Sequence, residues 1–491
     1  MSFARSPSIA AVLSFVLPGL GQWSLGALRR GILFAIPAII VFAAAVATAI
    51  ADGGAVVETF LRPEILVALF AANLLLCVYH ATAIADAYRL GRRWRPLGRG
   101  ARRVSALVAI AALAASLTMH GAIAAVTYQA YDALGSVFVP SEPGDGWSIP
   151  EPSFEPEPTP TTPPSPATTP SPSPSPAISV SPSRSPSPSP APSPSPSPTP
   201  GWAADGRLDL LLVGSDAGPD RWSLRTDTII VLSVDVATGR TALFGIPRNL
   251  VGVPLPAESA RAFEGGRFPG LLNALYVYAM GHPSQFPGGE ARGFRAVAGA
   301  VQELVGVRLD GAIVVNLAGF VRLVNAIGGL WIDVPERLMD ANYPLEDGSR
   351  VIRLDIEPGC QRLNGRMALA YARSRHQDSD YGRMRRQQTV LLALARQVDP
   401  IALLPRVPEL FGIAKDNLWT TIRRADIRGL AELTARADTA RVTTVVFVPP
   451  RFASHLDSGD ISRIRRVVRS VFDGGVSSGS PLPSAAPAAC P

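Results

Sequence analysis

A stretch rich in proline, serine and threonine, residues 141–200, divides this chain into parts that must fold separately. Its long Ser-Pro alternation offers no apolar face, so it cannot bury a core and is predicted to be an extended, solvated tether. The 491 residues are 47% apolar, which leaves room for a sizeable folded domain and for membrane segments. The predicted division is a membrane domain at 1–130, a linker at 131–204, a folded domain at 205–473 and a flexible tail at 474–491.

Three apolar runs before the tether, residues 31–50, 64–85 and 104–126, are each about long enough to cross a bilayer. Buried helices of a soluble domain are the alternative interpretation. An earlier segment, residues 9–28, contains LPGLGQ and is predicted to be broken or re-entrant, although a fourth span or an interfacial helix is also compatible. A signal peptide is disfavoured, because no small-residue cleavage site follows and further spans do.

The orientation of these spans follows from their flanking charges. The loop at 89–103, RLGRRWRPLGRGARR, is strongly basic and is predicted to stay in the cytoplasm. Arg29 and Arg30, just before the first run, agree with three crossings from a cytoplasmic start. We therefore expect a multi-pass membrane protein whose C-terminal domain is extracytoplasmic.

That C-terminal domain has the alternating pattern of an α/β fold. The run 208–213 predicts a buried strand that delivers Asp216 at its C-terminal end. The runs 228–234 and 241–246 predict a hairpin, whose antiparallel pairing places Asp227 beside Arg248 at the open end. Further elements are predicted as a helix at 290–304, a strand at 312–316, a helix to 327, and strands at 330–334 and 441–449.

The segment 371–388, YARSRHQDSDYGRMRRQQ, concentrates five arginines among two acids and two adjacent glutamines. Asn364 is predicted to cap a helix through Arg373, and Asp380 to cap a second helix through residue 398. On that second helix Arg383 and Gln387 lie four residues apart and share a face. Guanidinium groups hold phosphate oxygens through a planar fork of donors, so the cluster favours a diphosphate ligand over a single carboxylate. A solvated helix face with salt bridges is the competing interpretation.

Two carboxylates with an arginine can hold Mg²⁺ against a diphosphate, with water and phosphate oxygens completing the coordination. For Asp216, Asp227 and Arg248 alone, a plain Asp–Arg ion pair explains the residues equally well. The arginine cluster downstream favours the metal-assisted site over the plain ion pair.

These motifs resemble the LytR-CpsA-Psr (LCP) family, whose pattern runs GSD, R-x-DT, IPRD, an Asn-Ala segment, ALAYxRxRH and DxGRxxRQQ. The match covers about 208–398 of this chain. The resemblance implies a mixed central sheet flanked by helices. It also implies transfer of a glycopolymer, as a phosphodiester, from a polyprenyl diphosphate carrier to peptidoglycan, outside the membrane and assisted by Mg²⁺.

The resemblance also implies roles for individual residues. Asp216 and Asp227 would bind the metal and take part in catalysis, and Asp380 would orient arginines or act as a base. Arg248, Arg373 and Arg375 would take part in catalysis. The diphosphate would be bound by these three together with Arg225, Arg383 and the neutral donor Gln387. Two positions depart from the family pattern, because Asn249 replaces the acid of IPRD and Leu271 replaces a lysine before Asn273.

Charge and cysteine usage complete the sequence prediction. The net charge of +7 does not indicate nucleic-acid binding, because the excess lies in the cytoplasmic loop and in the diphosphate motif. Cys77 lies in a span, whereas Cys360 and Cys490 are both predicted outside, where they can form a disulfide or remain free thiols. A lipid pyrophosphatase and a noncatalytic receptor for the lipid carrier are the alternatives to a transferase.

Overall fold

The structure is a computed structural model that describes residues 6–51, 62–94, 98–138, 205–216, 226–345, 350–375, 379–398, 402–437, 442–472, 484–485 and 490. The Ser-Pro tether therefore lies outside the described residues, as does most of the predicted tail. The helical part before the tether and the α/β part after it are both described.

The N-terminal part consists of helices. The segment predicted to be broken forms two short helices separated at Gly19, whose φ of 96° is the left-handed conformation that glycine adopts without strain. A Cβ at Gly19 would lie 2.1 Å from the carbonyl oxygen of Gly31, so the close approach of the next helix also requires glycine. The helices are α1 Pro7–Val16, α2 Leu20–Ser24, α3 Leu28–Ala51, α4 Pro63–Trp94 and α5 Arg99–Val137.

Among the described residues, two segments are long and apolar enough to cross a membrane by length and composition, Pro63–Arg93 in α4 and Arg99–Val137 in α5. Many of their apolar side chains point outward, as lipid contact requires; Leu75 is 73% exposed and Leu117 is 66% exposed. These two apolar N-terminal helices suggest a membrane anchor. The remaining predicted span, residues 31–50, falls within the 24-residue helix α3. Some side chains of this helix lie outside the description, and the span stays a prediction.

The folded domain is built on a seven-stranded mixed sheet with the order β11-β6-β1-β2-β3-β12-β13. Strand β1 pairs antiparallel with β2 and parallel with β6, and β3 pairs antiparallel with β2 and parallel with β12. The strands of this sheet are β1 Arg207–Ser215, β2 Thr226–Asp235, β3 Thr241–Gly245, β6 Gly311–Asn316, β11 Leu418–Thr420, β12 Thr443–Val446 and β13 Ser484–Ala485. Three two-stranded sheets surround it, formed by β4 Val251–Pro254 with β5 Arg267–Leu271, β7 Leu330–Val334 with β10 Gly359–Leu363, and β8 Leu338–Pro344 with β9 Val351–Ile356.

Helices cover both faces of the central sheet, which explains why its strands are nearly continuous apolar runs. In β1, Leu211 and Val213 belong to the largest core cluster, while Leu210 faces the opposite side with Leu433. The helices of the domain are α6 Leu275–Gly281, α7 Arg292–Val305, α8 Leu317–Ala326, α9 Gly365–Arg373, α10 Asp380–Gln397, α11 Val407–Asn417, α12 Ile427–Arg436 and α13 Ser458–Ser470. The predicted fold, an α/β domain with a mixed sheet flanked by helices, is confirmed.

Most predicted elements differ from the observed ones only at their ends. The strand predicted at 441–449 is shorter, because Thr443–Val446 alone pairs with β3. Asn364 caps α9, its side chain accepting a hydrogen bond from the Met367 amide at 3.0 Å. The prediction that Asp380 caps α10 is wrong: Ser379 is the N-cap residue, and the Asp380 carboxylate is directed at two arginines.

The C-terminal end of α5 contacts the folded domain despite the long tether between them. Lys415 of α11 forms an ion pair with Asp132, and Arg424 donates to the Leu134 carbonyl at 2.7 Å. Phe138 forms a β-bridge with Thr420, which extends the edge of the central sheet. The folded domain is thus held against the end of the helix that leads out of the anchor.

The extreme C-terminus is tied to the domain. Cys360, in β10, is bonded to Cys490, and the two Cα atoms lie 5.6 Å apart. The short strand β13 also pairs with β12 at the edge of the central sheet. Cys77, the remaining cysteine, is free.

Candidate functional site

The two predicted metal-site carboxylates lie at neighbouring strand ends. Asp216 follows the last residue of β1, while Asp227 lies in β2 between Thr226, which pairs with Ser215, and Thr228, which pairs with Gly214. Asp227 is therefore the extra residue of a β-bulge. A bulge re-aims a side chain and is common beside binding sites. The Asp227 side chain is directed to the rim of the sheet, where it is 29% exposed.

Arg248 reaches the same rim from the next strand. Its Nη1 is ion-paired with Oδ1 of Asp227, as the register of the hairpin predicts. The Arg248 side chain is only 16% exposed. The Asn273 amide donates to the Arg248 carbonyl at 2.9 Å, which fixes the loop that carries this arginine.

The first turns of α10 supply a second acid and a second cation. Arg383 Nη2 lies 3.0 Å from Asp380 Oδ2 and also donates to the Asp227 carbonyl at 3.3 Å. Arg248 Nη2 lies 3.6 Å from the other Asp380 oxygen, Oδ1. Both oxygens of Asp380 are thus engaged by guanidinium groups, and the two acids and two arginines form a closed charged cluster.

Arg383 is the most desolvated cation of this cluster, with 3% of the residue exposed. Burial, together with the neighbouring Arg248 and Arg375, lowers the pKa of Arg383 to about 10, although Asp380 and Asp227 act in the opposite direction. The guanidinium still carries its charge at neutral pH. A buried cation beside two other cations favours binding of an additional anion.

Several buried polar atoms around this cluster have no hydrogen-bond partner among the described residues: Thr226 Oγ1, Asn249 Oδ1, Arg373 Nη1 and Arg383 Nε. Buried polar groups in folded proteins are almost always paired, so these atoms are available to bind a ligand at this site. Three of the four are donors or hydroxyls, the groups that phosphate oxygens require.

The helix α10 also contains residues whose role is to position the site rather than to line it. Arg386 donates to the Tyr371 carbonyl at 2.7 Å and to the Ser374 carbonyl at 2.5 Å, which closes the end of α9 against α10. Gln388 donates to the carbonyls of Leu243 and Val445 at 3.2 and 3.1 Å, which anchors α10 on the sheet. Sequence reasoning did not separate these two residues from their neighbours.

A buried contact beyond the motifs supports the arginine loop. Ser374, between Arg373 and Arg375, donates to Asp340 of β8 at 2.8 Å, and both partners are buried. The residues on either side of Ser374 are thereby held in place. No motif indicated Asp340, since it lies 34 residues upstream.

The remaining predicted site residues differ in how deeply they are buried, and one of them lies outside the described part of the chain. Gln387 is buried on the same face of α10 as Arg383, and Arg373 is partly buried at the end of α9. Arg375 is exposed but lies near enough to influence Arg383. Arg225 lies outside the described residues.

Both departures from the family pattern border the site. Asn249 follows Arg248 and points a buried, unpaired carbonyl oxygen where the family pattern has a carboxylate. Leu271, 44% exposed, ends β5 opposite Val251. Asn273 and Tyr276 lie just beyond it, and burial raises the pKa of Tyr276.

The donor set fits magnesium chemistry. Asp216 and Asp227 present carboxylate oxygens from adjacent strand ends, and Mg²⁺ binds through one or two such groups plus phosphate oxygens and water. Within the described part of the chain, no group of three or more His, Cys, Asp or Glu side chains is arranged to hold a metal ion. Any metal here would complete its coordination with substrate and solvent.

Comparison with known proteins covers the same region. The LytR_cpsA_psr family profile matches residues 179–466, which is more than half of the chain. The chain is 25% identical over 219 residues to Biofilm regulatory protein A of Streptococcus mutans, covering 43% of this chain and 49% of that protein. It is 25% identical over 259 residues to the polyisoprenyl-teichoic acid–peptidoglycan teichoic acid transferase TagV of Bacillus subtilis, covering 51% and 60%.

Among solved structures, that of B. subtilis TagV matches 54% of this chain and 97% of its own, with 22% identity and a TM-score of 0.40. The matched region spans between 49% and 60% of the two curated relatives named above. The motifs, the mixed sheet and the family match over residues 179–466 agree. This chain belongs to the LytR_cpsA_psr family.

Proposed function

We propose that the chain is a membrane-anchored phosphotransferase that moves a glycopolymer from a polyprenyl diphosphate carrier to peptidoglycan, outside the membrane. The observation that carries this proposal is the buried cluster of Arg248, Arg383, Asp227 and Asp380, with unpaired donors around it. Two close arginines restrained by acids suit a ligand with several negative oxygens. TagV, a relative of this chain, is named as a transferase of teichoic acid to peptidoglycan, which is the same class of reaction.

In the proposed reaction, an acceptor hydroxyl of peptidoglycan attacks the phosphorus that carries the glycan. The new O–P bond forms as the bridging P–O bond breaks, polyprenyl phosphate leaves, and the hydroxyl proton passes to solvent. Arg248 and Arg383 bind the diphosphate and stabilise the charge that accumulates on its oxygens, so catalysis is mainly electrostatic. Arg373 and Arg375 extend the cationic surface along the same segment, and Arg225 is proposed to join it.

Asp380 is proposed to position the two arginines rather than to accept a proton. Its two carboxylate oxygens already interact with Arg248 and Arg383, at 3.6 and 3.0 Å. A carboxylate whose two oxygens both contact guanidinium groups is placed to orient those cations. Its contribution is to hold the forks of both arginines in the direction of the ligand.

Magnesium is proposed as the cofactor, held by Asp216 and Asp227. When bound, Mg²⁺ would neutralise phosphate charge and polarise the phosphorus under attack. Asp227 would serve both the metal and Arg248, using its two oxygens separately. This arrangement explains why the bulge brings an acid to this rim.

The proposed location is the outer face of a membrane. The basic loop between α4 and α5 would remain in the cytoplasm, and α5 would deliver the folded domain to the other side. A multi-pass arrangement with α3 as a further span is part of this proposal. The partners are then the lipid-linked glycan, peptidoglycan and the membrane, with no nucleic acid.

The proposal is tested by product analysis with the full chain in phospholipid nanodiscs. The protein is mixed with a polyprenyl diphosphate glycan, Mg²⁺ and peptidoglycan oligomers, beside an Arg383→Gln variant. We expect glycan joined to peptidoglycan with the wild type and little with the variant. Free phosphorylated glycan as the sole product would indicate a pyrophosphatase, and binding without turnover on several donors would indicate a receptor.

A further inference from the structure

The two candidate spans share a buried polar cluster that anchoring alone does not require. Asn73 and His80 lie two turns apart on one face of α4, and Ser116 and His120 lie one turn apart on α5. All four residues are buried between the helices. Polar and ionisable groups at membrane depth are costly, so they usually have a specific role.

His80 must donate a hydrogen from one ring nitrogen. Its Nε2 lies 2.9 Å from the backbone carbonyl oxygen of Phe15 in α1. A carbonyl oxygen can only accept, so the hydrogen of a neutral His80 is on Nε2. The other nitrogen, Nδ1, then carries a lone pair.

His120 is constrained in the same way by Asn73. Its Nδ1 lies 2.8 Å from Asn73 Oδ1, while Asn73 Nδ2 donates to the His120 carbonyl at 2.9 Å. The reversed amide would set two oxygens against each other, so the carbonyl of His120 fixes the amide orientation. The hydrogen of a neutral His120 is therefore on Nδ1, and its Nε2 carries the lone pair.

The two lone pairs face each other. His80 Nδ1 and His120 Nε2 are 3.3 Å apart, a hydrogen-bond distance, yet neither neutral ring has a hydrogen to place between them. Ser116 Oγ lies 3.2 Å from His80 Nδ1 and can supply one hydrogen to that nitrogen only. The nitrogen of His120 would still lack a donor. One additional proton between the rings resolves the conflict.

We propose that His80 and His120 form a proton-binding site within the membrane domain, in which one proton is shared between the two imidazoles. A single charge spread over two rings costs less in a bilayer than a divalent metal held by neutral ligands. The Phe15 carbonyl, the Asn73 amide oxygen and the Ser116 hydroxyl surround the pair with negative dipoles. Phe15 also stacks on His80, with ring centroids 5.9 Å apart.

A separate set of polar contacts lies between this site and the predicted cytoplasmic end of the anchor. Ser14, next to Phe15, donates to the Gln22 amide oxygen at 2.9 Å. Gln22 is fully buried and donates to Asp86 at 3.2 Å, and Asp86 lies 3.4 Å from Arg30. Asp86 is six residues beyond His80 on α4, about 9 Å along the helix axis. Tyr79, the other polar neighbour on α4, donates to the Phe34 carbonyl at 2.6 Å.

The test uses ring-nitrogen NMR of the full chain, labelled with ¹⁵N-histidine and reconstituted in phospholipid nanodiscs. The chain has five histidines, so variants assign the signals by subtraction. The pH is set to about 8, where an ordinary imidazole is almost entirely neutral. We expect one doubly protonated ring per chain in the wild type.

The decisive variant is His120→Gln, whose side-chain amide can donate to His80 Nδ1 without a charge. The charged-ring signal should disappear while His80 becomes neutral. The matched control is His455→Gln, at an exposed position of the folded domain, and it should keep the signal. His80→Asn is a second variant, expected to remove the signal as well.

The wild-type spectrum decides the outcome even if a variant folds poorly. Two neutral rings at His80 and His120 would overturn the proposal. One equivalent of a transition metal in the purified protein, with ring shifts that revert on chelation, would also overturn it, since the site would then be a metal site. The readout is independent of transferase activity.

Discussion

Asp227 and Arg248 are ion-paired at the rim of the central sheet although 21 residues separate them along the chain. Strand β2 begins with the bulge that turns Asp227 outward, and the loop after β3 returns with Arg248. Arg383 enters from α10 and hydrogen-bonds to the carbonyl of the same aspartate. The Asp227–Arg248 pair of the hairpin is thus joined to α10, the helix that carries three of the five arginines of residues 371–388.

Replacing Arg248 by Gln should strongly reduce transfer. The variant removes a cation that contacts both Asp227 and Asp380, so phosphate charge loses stabilisation in the transition state. We expect kcat to fall by about 100-fold or more, as for loss of one preorganised donor. The measurement is the initial rate of glycan transfer at saturating donor.

The control for that variant is Arg385→Gln, an exposed arginine on α10. It removes the same charge as Arg248→Gln, but from the exposed face of α10 and outside the cluster. Its rate should stay within about twofold of wild type, because the effect of an isolated surface charge is small. Equal losses in both variants would mean that only overall charge matters.

Asp380→Asn should lower kcat while leaving the shape of the pH profile unchanged. The amide cannot restrain both guanidinium groups, so the arginines lose their alignment, which we expect to cost about 10- to 100-fold. The rate is measured across a wide pH range. Loss of the acidic limb in the variant would show instead that Asp380 accepts the proton of the acceptor.

The far end of the sheet should make stability depend on pH. Asp310 accepts a hydrogen bond from the Asp209 amide at 2.9 Å. Burial, together with the nearby acids Asp205 and Asp209, raises the pKa of Asp310 to about 7. Since the folded state holds this proton more tightly than the unfolded chain, stability is lost as the pH rises from about 4 through 7.

Asp310→Asn should remove this dependence, because the amide oxygen can keep the hydrogen bond without a charge. We expect the variant to unfold at a higher temperature than wild type at pH 8, by roughly several degrees, with little difference at pH 4. Thermal unfolding followed at both pH values is the measurement. A variant that is less stable at pH 8 would contradict the prediction.

The rate at which Lys415, the only lysine of the chain, reacts with amine reagents should report the contact between α5 and the folded domain. Its hydrogen bond and charge interaction with Asp132 raise the pKa of Lys415, which leaves less free amine to react. In Asp132→Asn, we expect amine-reactive labelling of Lys415 to become several-fold faster. Peptide mass spectrometry measures the rate at this residue separately from the N-terminal amine.

The matched control is Asp355→Asn, which removes an exposed acid that pairs with Arg337 on the other side of the domain. Its Lys415 should react at the wild-type rate. Unchanged labelling in Asp132→Asn would show that the domain does not dock on α5 in a bilayer.

The sequence predicted the parts of the site that depend only on residue spacing within one hairpin or one helix. Counting residues from the hairpin turn placed Asp227 beside Arg248, and helical spacing placed Arg383 and Gln387 on one face. It did not predict the bulge at Asp227, which depends on how two strands pair. It also did not distinguish Arg386 and Gln388 from their neighbours, since their partners are carbonyls of distant strands and helices.

Long-range contacts were equally hidden from sequence reasoning. The hydrogen bond of Ser374 to Asp340 and the ion pair of Lys415 with Asp132 join segments with no motif in common. The Asp380 cap was predicted from its position before a helix, but its carboxylate interacts with two arginines instead.

The fate of the phosphorus next to the glycan tests the central claim most directly. A polyprenyl diphosphate glycan is labelled with ³²P at the glycan-linked phosphorus and incubated with the full chain, Mg²⁺ and peptidoglycan oligomers. We predict that the label appears in a phosphodiester between glycan and peptidoglycan, with polyprenyl phosphate released unlabelled. Label found only in free glycan phosphate, or retained on the lipid, would contradict transfer by attack at that phosphorus.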